Sequence, residues 1–200
     1  MKIGKTLLVF ALVLSGSSSL AALPPHFSEC MREAGSLVSI RALKEISQVS
    51  TVTYCQNQIS TVSKYEVIDL LKSPKVQLAI SLARTNYIRE DLMEMAKSGP
   101  FLLYVDSPKI SKEYLPALMR AGVDLVIMSN TAGLAQVDLL ALARTKSYVY
   151  NVNSSVIASD LAALVAAGVH VVIRNNFSGL SAADVVRVAS VNNSLVTVFP

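Results

Sequence analysis

Apolar and polar positions along this chain recur in one spaced pattern, apolar-x-apolar-x-x-polar. It appears as Val52, Tyr54, Asn57; as Leu78, Ile80, Ala83; as Phe101, Leu103, Asp106; as Leu125, Ile127, Asn130; as Tyr148, Tyr150, Asn153; and as Val171, Ile173, Asn176. The last positions step by 26, 23, 24, 23 and 23 residues, a spacing that belongs to stacked supersecondary repeats. Each apolar-x-apolar core alternates with period two and is rich in Val, Ile, Leu and Tyr, which predicts a strand.

Between the strands the apolar residues return at helical spacing. Tyr87, Ile110, Leu134, Ile157 and Leu180 form a first column. Leu92, Leu115, Leu139, Leu161 and Val185 form a second, and Met95, Leu118, Leu142, Leu164 and Val188 a third. Such stripes predict helices laid against one face of the strands. Asp91, Asp138, Asp160 and Asp184 stand where a carboxylate favours the positive end of a helix, and Gly99, Gly122 and Gly168 stand where a helix closes. Short, near-identical crossovers predict parallel strands in chain order with all helices on one side. The expected fold is α/β, a right-handed β/α solenoid of about six to seven repeats of 23–24 residues.

The run Leu125-Val126-Ile127-Met128-Ser129-Asn130 and its counterpart Val171-Val172-Ile173-Arg174-Asn175-Asn176 resemble the L-x-L-x-x-N core of leucine-rich repeats. The resemblance covers roughly residues 51–200. It implies a structural ladder in which Asn57, Asp106, Asn130, Asn153 and Asn176 bond to the backbone of neighbouring turns, and a concave face used for binding. The leading leucine before each core is missing, and Ala83 leaves a gap in the ladder.

The start of the chain changes the picture of where the protein works. Lys2 and Lys5 precede an apolar run, Thr6 to Leu14, and Ser19-Leu20-Ala21 follows as a small-x-small site, so residues 1–21 read as a secretory signal. The run is too short to span a bilayer. Residues 22–50 read as an N-terminal helical cap for the open end of the array, and 51–200 as the repeat domain. Removing the leader lowers the formal charge from +4 to +2, too mild for nucleic acid. The expected setting is a bacterial periplasm or the medium, with no stable membrane span after cleavage. There the two cysteines, Cys30 and Cys55, would form one disulfide stapling the cap to the first strand.

Chemistry is sparse in this sequence. No Gly-x-Ser-x-Gly turn occurs, and the two histidines, His26 and His170, lie far apart, so catalytic residues, metal ligands and cofactors are all expected to be absent. What remains is the strand face opposite the helices. Its residues form three rows: Thr51, Gln77, Pro100, Asp124, Ser147, His170; then Thr53, Ala79, Leu102, Val126, Val149, Val172; then Cys55, Ser81, Tyr104, Met128, Asn151, Arg174. A contiguous apolar stripe between polar rows suits an interaction surface. The binding face expected from this comprises Leu102, Tyr104, Asp124, Val126, Met128, Val149, Asn151, His170, Val172 and Arg174. The leading function is an exported, non-catalytic recognition or scaffold module for a protein or peptide. Its alternatives are a homo-oligomerising envelope protein and a hydrolytic enzyme on a β/α scaffold. A sheet closed into a barrel would also be apolar on both faces.

Overall fold

Strand and helix alternate in the computed structural model, which describes residues 39–56, 62–130 and 133–199. Helix α1 (Ile40–Val49) leads to β1 (Val52–Gln56), α2 (Lys64–Leu71), β2 (Val76–Ser81), α3 (Arg89–Ala96) and β3 (Leu102–Val105). A 3₁₀ turn (Lys112–Tyr114) runs into α4 (Leu115–Arg120), then β4 (Asp124–Met128), α5 (Gln136–Ala143), β5 (Val149–Val152), α6 (Ala158–Ala166) and β6 (His170–Arg174). The short α7 (Asn175–Ser178), α8 (Ala182–Val191), a second 3₁₀ turn (Asn193–Leu195) and β7 (Val196–Phe199) complete the order. The expected leader over 1–21, the first part of the expected cap, Cys30 and Asn57 lie outside the described residues.

Local chemistry sets these boundaries. Ser63 with Glu66 and Ser181 with Asp184 form reciprocal capping boxes at the starts of α2 and α8. Asp91 and Asp138 accept the backbone N–H groups of Ile88 and Ala135 at the starts of α3 and α5. Helix α6 ends in a Schellman closure: Gly168, at φ 86°, donates to Val165 and Val169 donates to Leu164. Gly99 serves differently, since a Cβ there would meet the Leu71 carbonyl oxygen at 2.7 Å. Its role is close approach of two turns.

The helices cover one face of the sheet. Leu78, Ile80, Leu103, Leu125, Ile127, Val171 and Ile173 on the strands pack with Leu92, Met95, Leu118, Leu142, Leu164 and Val188 on the helices in one buried cluster. Each such burial contributes about 1.5–3 kcal/mol. Ile157 departs from its column: it is exposed at the start of α6, and Val156 packs against the core instead.

The seven strands are all parallel and lie side by side in chain order, but their register corrects the solenoid reading. In a stacked solenoid each pattern position pairs with the same position of the next unit. β2 and β3 do so, pairing Ile80 with Leu103, and so do β4 and β5, pairing Ile127 with Tyr150. Elsewhere the strands slip by two residues, always in the same sense. Tyr54 pairs with Leu78 rather than Ile80, Leu103 with Leu125 rather than Ile127, and Tyr150 with Val171 rather than Ile173. The accumulated stagger is about one residue per strand, the shear that tilts the strands of an eight-stranded β/α barrel.

Burial agrees with the stagger. Ala79, Leu102, Tyr104, Val126, Val149 and Val172, all on the face away from the helices, form a second buried cluster, and Cys55 on β1, Met128 on β4 and Phe199 on β7 pack against it. A sheet buried on both faces and progressively staggered is a curled, barrel-like arrangement. The leucine-rich-repeat resemblance and the stacked-repeat architecture are therefore set aside. The near-constant spacing reflects successive β/α units of similar length. Among the described residues the curl is not closed by pairing, since β1 and β7 are the two ends of the strand order, and Thr53 on β1 is exposed. Among the described residues no helix is long and apolar enough to cross a membrane.

The inner face and its C-terminal mouth

The inward-facing side chains lie in three layers, because residues two apart on a strand share a face. Nearest the strand starts, polar groups satisfy one another. The Lys146 ammonium lies 2.6 Å from Asp124 Oδ1, His170 Nε2 is 2.9 Å from Thr197 Oγ1, and Thr53 Oγ1 donates to Gln77 Oε1 at 3.2 Å. The middle layer is dry. Leu102, Val126 and Val172 are fully buried there, with Ala79 and Val149 almost so.

At the strand ends the composition changes to Cys55, Ser81, Tyr104, Met128, Asn151, Arg174 and Phe199. Ser81 donates its hydroxyl to Asp106 Oδ2 at 2.5 Å, and Asp106 Oδ1 accepts the Ala83 N–H at 2.8 Å. Asn151 is completely buried. Its amide nitrogen donates to Met128 Sδ at 3.2 Å, a weak acceptor, and its Oδ1 has no hydrogen-bond partner. Arg174, on the neighbouring strand β6, is half-buried, and its Nε–H is likewise buried without a partner. Asn151 pairs with Val172, and Arg174 lies two residues further along the same strand opposite Phe199. An unmatched acceptor and an unmatched donor thus stand diagonally adjacent above an apolar floor.

All ten residues expected on the binding face are on this inner surface, and the structure divides them. Leu102, Val126, Val149 and Val172 form its dry middle, Asp124 and His170 lie at the strand starts, and Tyr104, Met128, Asn151 and Arg174 stand at the strand ends. The sequence reading passed over Phe199, although the alternation of Thr197 and Phe199 on β7 could have placed it. Cys55 is half-buried and carries no free thiol. Its expected partner, Cys30, lies outside the described residues.

The ladder positions divide as well. Asn153 Oδ1 accepts from the Asn130 N–H at 3.2 Å and the Ser129 hydroxyl at 3.0 Å, and Asp106 does the same for Ala83 and Ser81. Asn130 and Asn176 are exposed, Asn176 on α7. Both rungs fall where the strands pair in step. A two-residue slip displaces the polar position by about 6.6 Å along its neighbour, beyond hydrogen-bond reach. Among the described residues no three or more His, Cys, Asp or Glu side chains gather in a way that could hold a metal ion.

No protein-family model matches the chain, and no curated protein does. Among solved structures, that of an oxaloacetate acetylhydrolase in complex with the product oxalate is similar, with a TM-score of 0.41 and 12% sequence identity over 80% of this chain and 71% of that chain.

The burial of the inner face corrects the expected function. A docking surface for a protein or peptide must reach its partner, and Leu102, Val126 and Val172 have no exposed area. The expectation of a non-catalytic module, drawn from the sparse chemistry of the sequence and joined to that open face, is corrected with it, since the buried face removes the binding role offered in place of catalysis. A parallel β/α sheet with a filled interior is the build that carries chemistry at the C-terminal ends of its strands.

Proposed function

We propose that this protein is an enzyme acting on a small polar molecule at the C-terminal mouth of its barrel-like sheet. The observation that carries the reading is the change of layer. A dry floor of Leu102, Val126, Val149 and Val172 is topped at the strand ends by Ser81, Tyr104, Asn151 and Arg174. Polar groups at the strand starts are paired, whereas those at the mouth are not all matched. Barrels built this way place ligands and reacting groups at the strand ends, on loops that a rigid sheet positions. The fold-level part of this support is analogy, and the site residues supply the rest. Hydrolysis, already named as an alternative from the sequence, is the reaction class to assay first. An exported setting accompanies this reading, resting on the leader-like sequence of residues 1–21.

The test is saturation-transfer NMR of the full chain with a panel of small acids, esters, amides and polyols, each sample followed for turnover. We expect at least one member to bind and to lose its signal in Asn151→Leu. A folded protein that binds nothing in the panel would overturn the reading.

A further inference from the structure

We infer that a second site, the cleft between the loops that follow β2 and β3, binds a small carboxylate with an aromatic body. The cleft is independent of the inner face. Tyr87 and Ile110, the buried part of its lining, pack into the cluster on the helix side of the sheet. It measures about 430 Å³, within the roughly 300–1,000 Å³ of small-molecule sites. A ligand can reach it, since Ile88 and Tyr114 in its wall are 59% and 40% exposed. Tyr87 offers only its ring, because its hydroxyl donates to the Val62 carbonyl and accepts from Gln56 Nε2, both at 2.9 Å.

Charge selects the ligand. Arg89 and Lys109 line the cleft and no carboxylate does; Glu113, which accepts the Ser111 hydroxyl, lies outside the lining. Lys109 has no acidic partner among the described residues. Its ammonium donates to the Thr85 carbonyl at 2.8 Å and the Ala83 carbonyl at 3.4 Å, which leaves an N–H unspent. The Arg89 guanidinium lies over the Tyr114 ring, 4.2 Å from its centroid, and its Nε is 3.0 Å from Glu90 Oε1. Neither contact uses the N–H groups of the two terminal nitrogens, which suit a carboxylate. Glu90 offsets one of the two positive charges, so a monoanion completes the balance. Tyr114 covers one face of the guanidinium, the Arg89 side chain keeps 41% exposure, and a planar ring can stack on the face that remains. Ile88 and Ile110 supply the apolar contact for such a ring.

Isothermal titration of the full chain with phenylacetate, phenylacetamide and acetate tests this. Phenylacetate should bind most tightly and acetate least. Arg89→Gln and Lys109→Gln should each weaken phenylacetate by roughly 2- to 5-fold, the range for a part-exposed ion pair, and Lys109→Gln should leave phenylacetamide little changed. Ile88→Ser should weaken both aromatic probes. Asn151→Leu, on the inner face, should alter neither. Circular dichroism checks that each variant is folded, and if Lys109→Gln loosens the two loops, the exposed Arg89→Gln carries the test alone. Phenylacetamide binding as tightly as phenylacetate would overturn the carboxylate assignment. A phenylacetate affinity unmoved by Arg89→Gln and Lys109→Gln, or lost in Asn151→Leu, would overturn the cleft as its site. If phenylacetate does not bind, the inference falls, and the reading of the inner mouth still stands or falls on its own NMR panel.

Discussion

Asn153 reaches back one β/α unit and accepts the backbone N–H of Asn130 at 3.2 Å, holding the turn after β4 from the end of β5. Asp106 does the same for Ala83 at 2.8 Å. These rungs exist where adjacent strands pair in step. Removing either acceptor takes one partner from a backbone donor and one from a serine hydroxyl, so Asn153→Ala and Asp106→Ala should each destabilise by about 1–1.5 kcal/mol. Asn176→Ala, at an exposed position, should stay within about 0.5 kcal/mol. Urea denaturation reads all three, and equal losses would show that the rungs carry no stability.

Val126→Lys should unfold the chain. The Val126 side chain has no exposed area, and an unpaired ammonium in such a place costs several kcal/mol. Thr53→Lys, on the same face of the sheet but exposed on β1, should be tolerated. Circular dichroism and the denaturation midpoint check the pair. A folded Val126→Lys protein as stable as the parent would return the inner face to solvent and restore the docking-surface reading.

Acid should weaken the helix starts first. Glu66 is held below the usual carboxylate range by the Ser63 backbone and hydroxyl, Asp138 by the Lys112 ammonium and the Ala135 N–H, and Asp184 by the Ser181 hydroxyl and N–H. A carboxyl whose folded pKa is depressed contributes stability that is present above its unfolded value, about 4, and is lost as pH falls through the folded value. Denaturation midpoints measured from about pH 6 down to pH 2 should therefore fall below about pH 4. Asp184→Asn should fall less steeply. Parallel slopes for the two proteins would remove Asp184 from the account.

Alkali should act through buried phenols. Burial pushes Tyr87 up to about 12, and burial also raises Tyr148, whose hydroxyl donates to the Leu139 carbonyl at 2.9 Å. Unfolded tyrosines titrate near 10, so the contribution of these neutral phenols is whole below about pH 10 and is lost as pH rises through the folded values. Phenolate absorbance and circular dichroism followed together should show the last tyrosines ionising as the fold is lost. Ionisation of all seven tyrosines near pH 10 with the fold intact would refute this.

The path from sequence to site was uneven for identifiable reasons. The row Tyr104, Met128, Asn151, Arg174 was legible, because alternation on four strands puts these residues on one face. That Asn151 Oδ1 and Arg174 Nε lack partners was not legible, since it depends on what each side chain meets across the curled interior. The asparagine pattern was visible as spacing, yet spacing could not separate Asn153, which bonds to the preceding turn, from Asn176, which lies exposed on a helix.

By itself the sequence determined the β/α units, the parallel order that short crossovers impose, and which residues face the helices. Each of these follows from a local period, two along a strand and 3.6 along a helix, that any side chain reports wherever the strand is placed. Only the tertiary structure decided between an open stack and a curled sheet, and with it whether Val126 meets a partner or the interior. The deciding quantity is register. A slip of one residue would exchange the faces and contradict the pattern, but the slips observed between β1 and β2, β3 and β4, and β5 and β6 are of two residues. Two residues restore the same face, so the alternation reads identically in a flat sheet and a staggered one, and the tilt that buries the inner face leaves no trace in it.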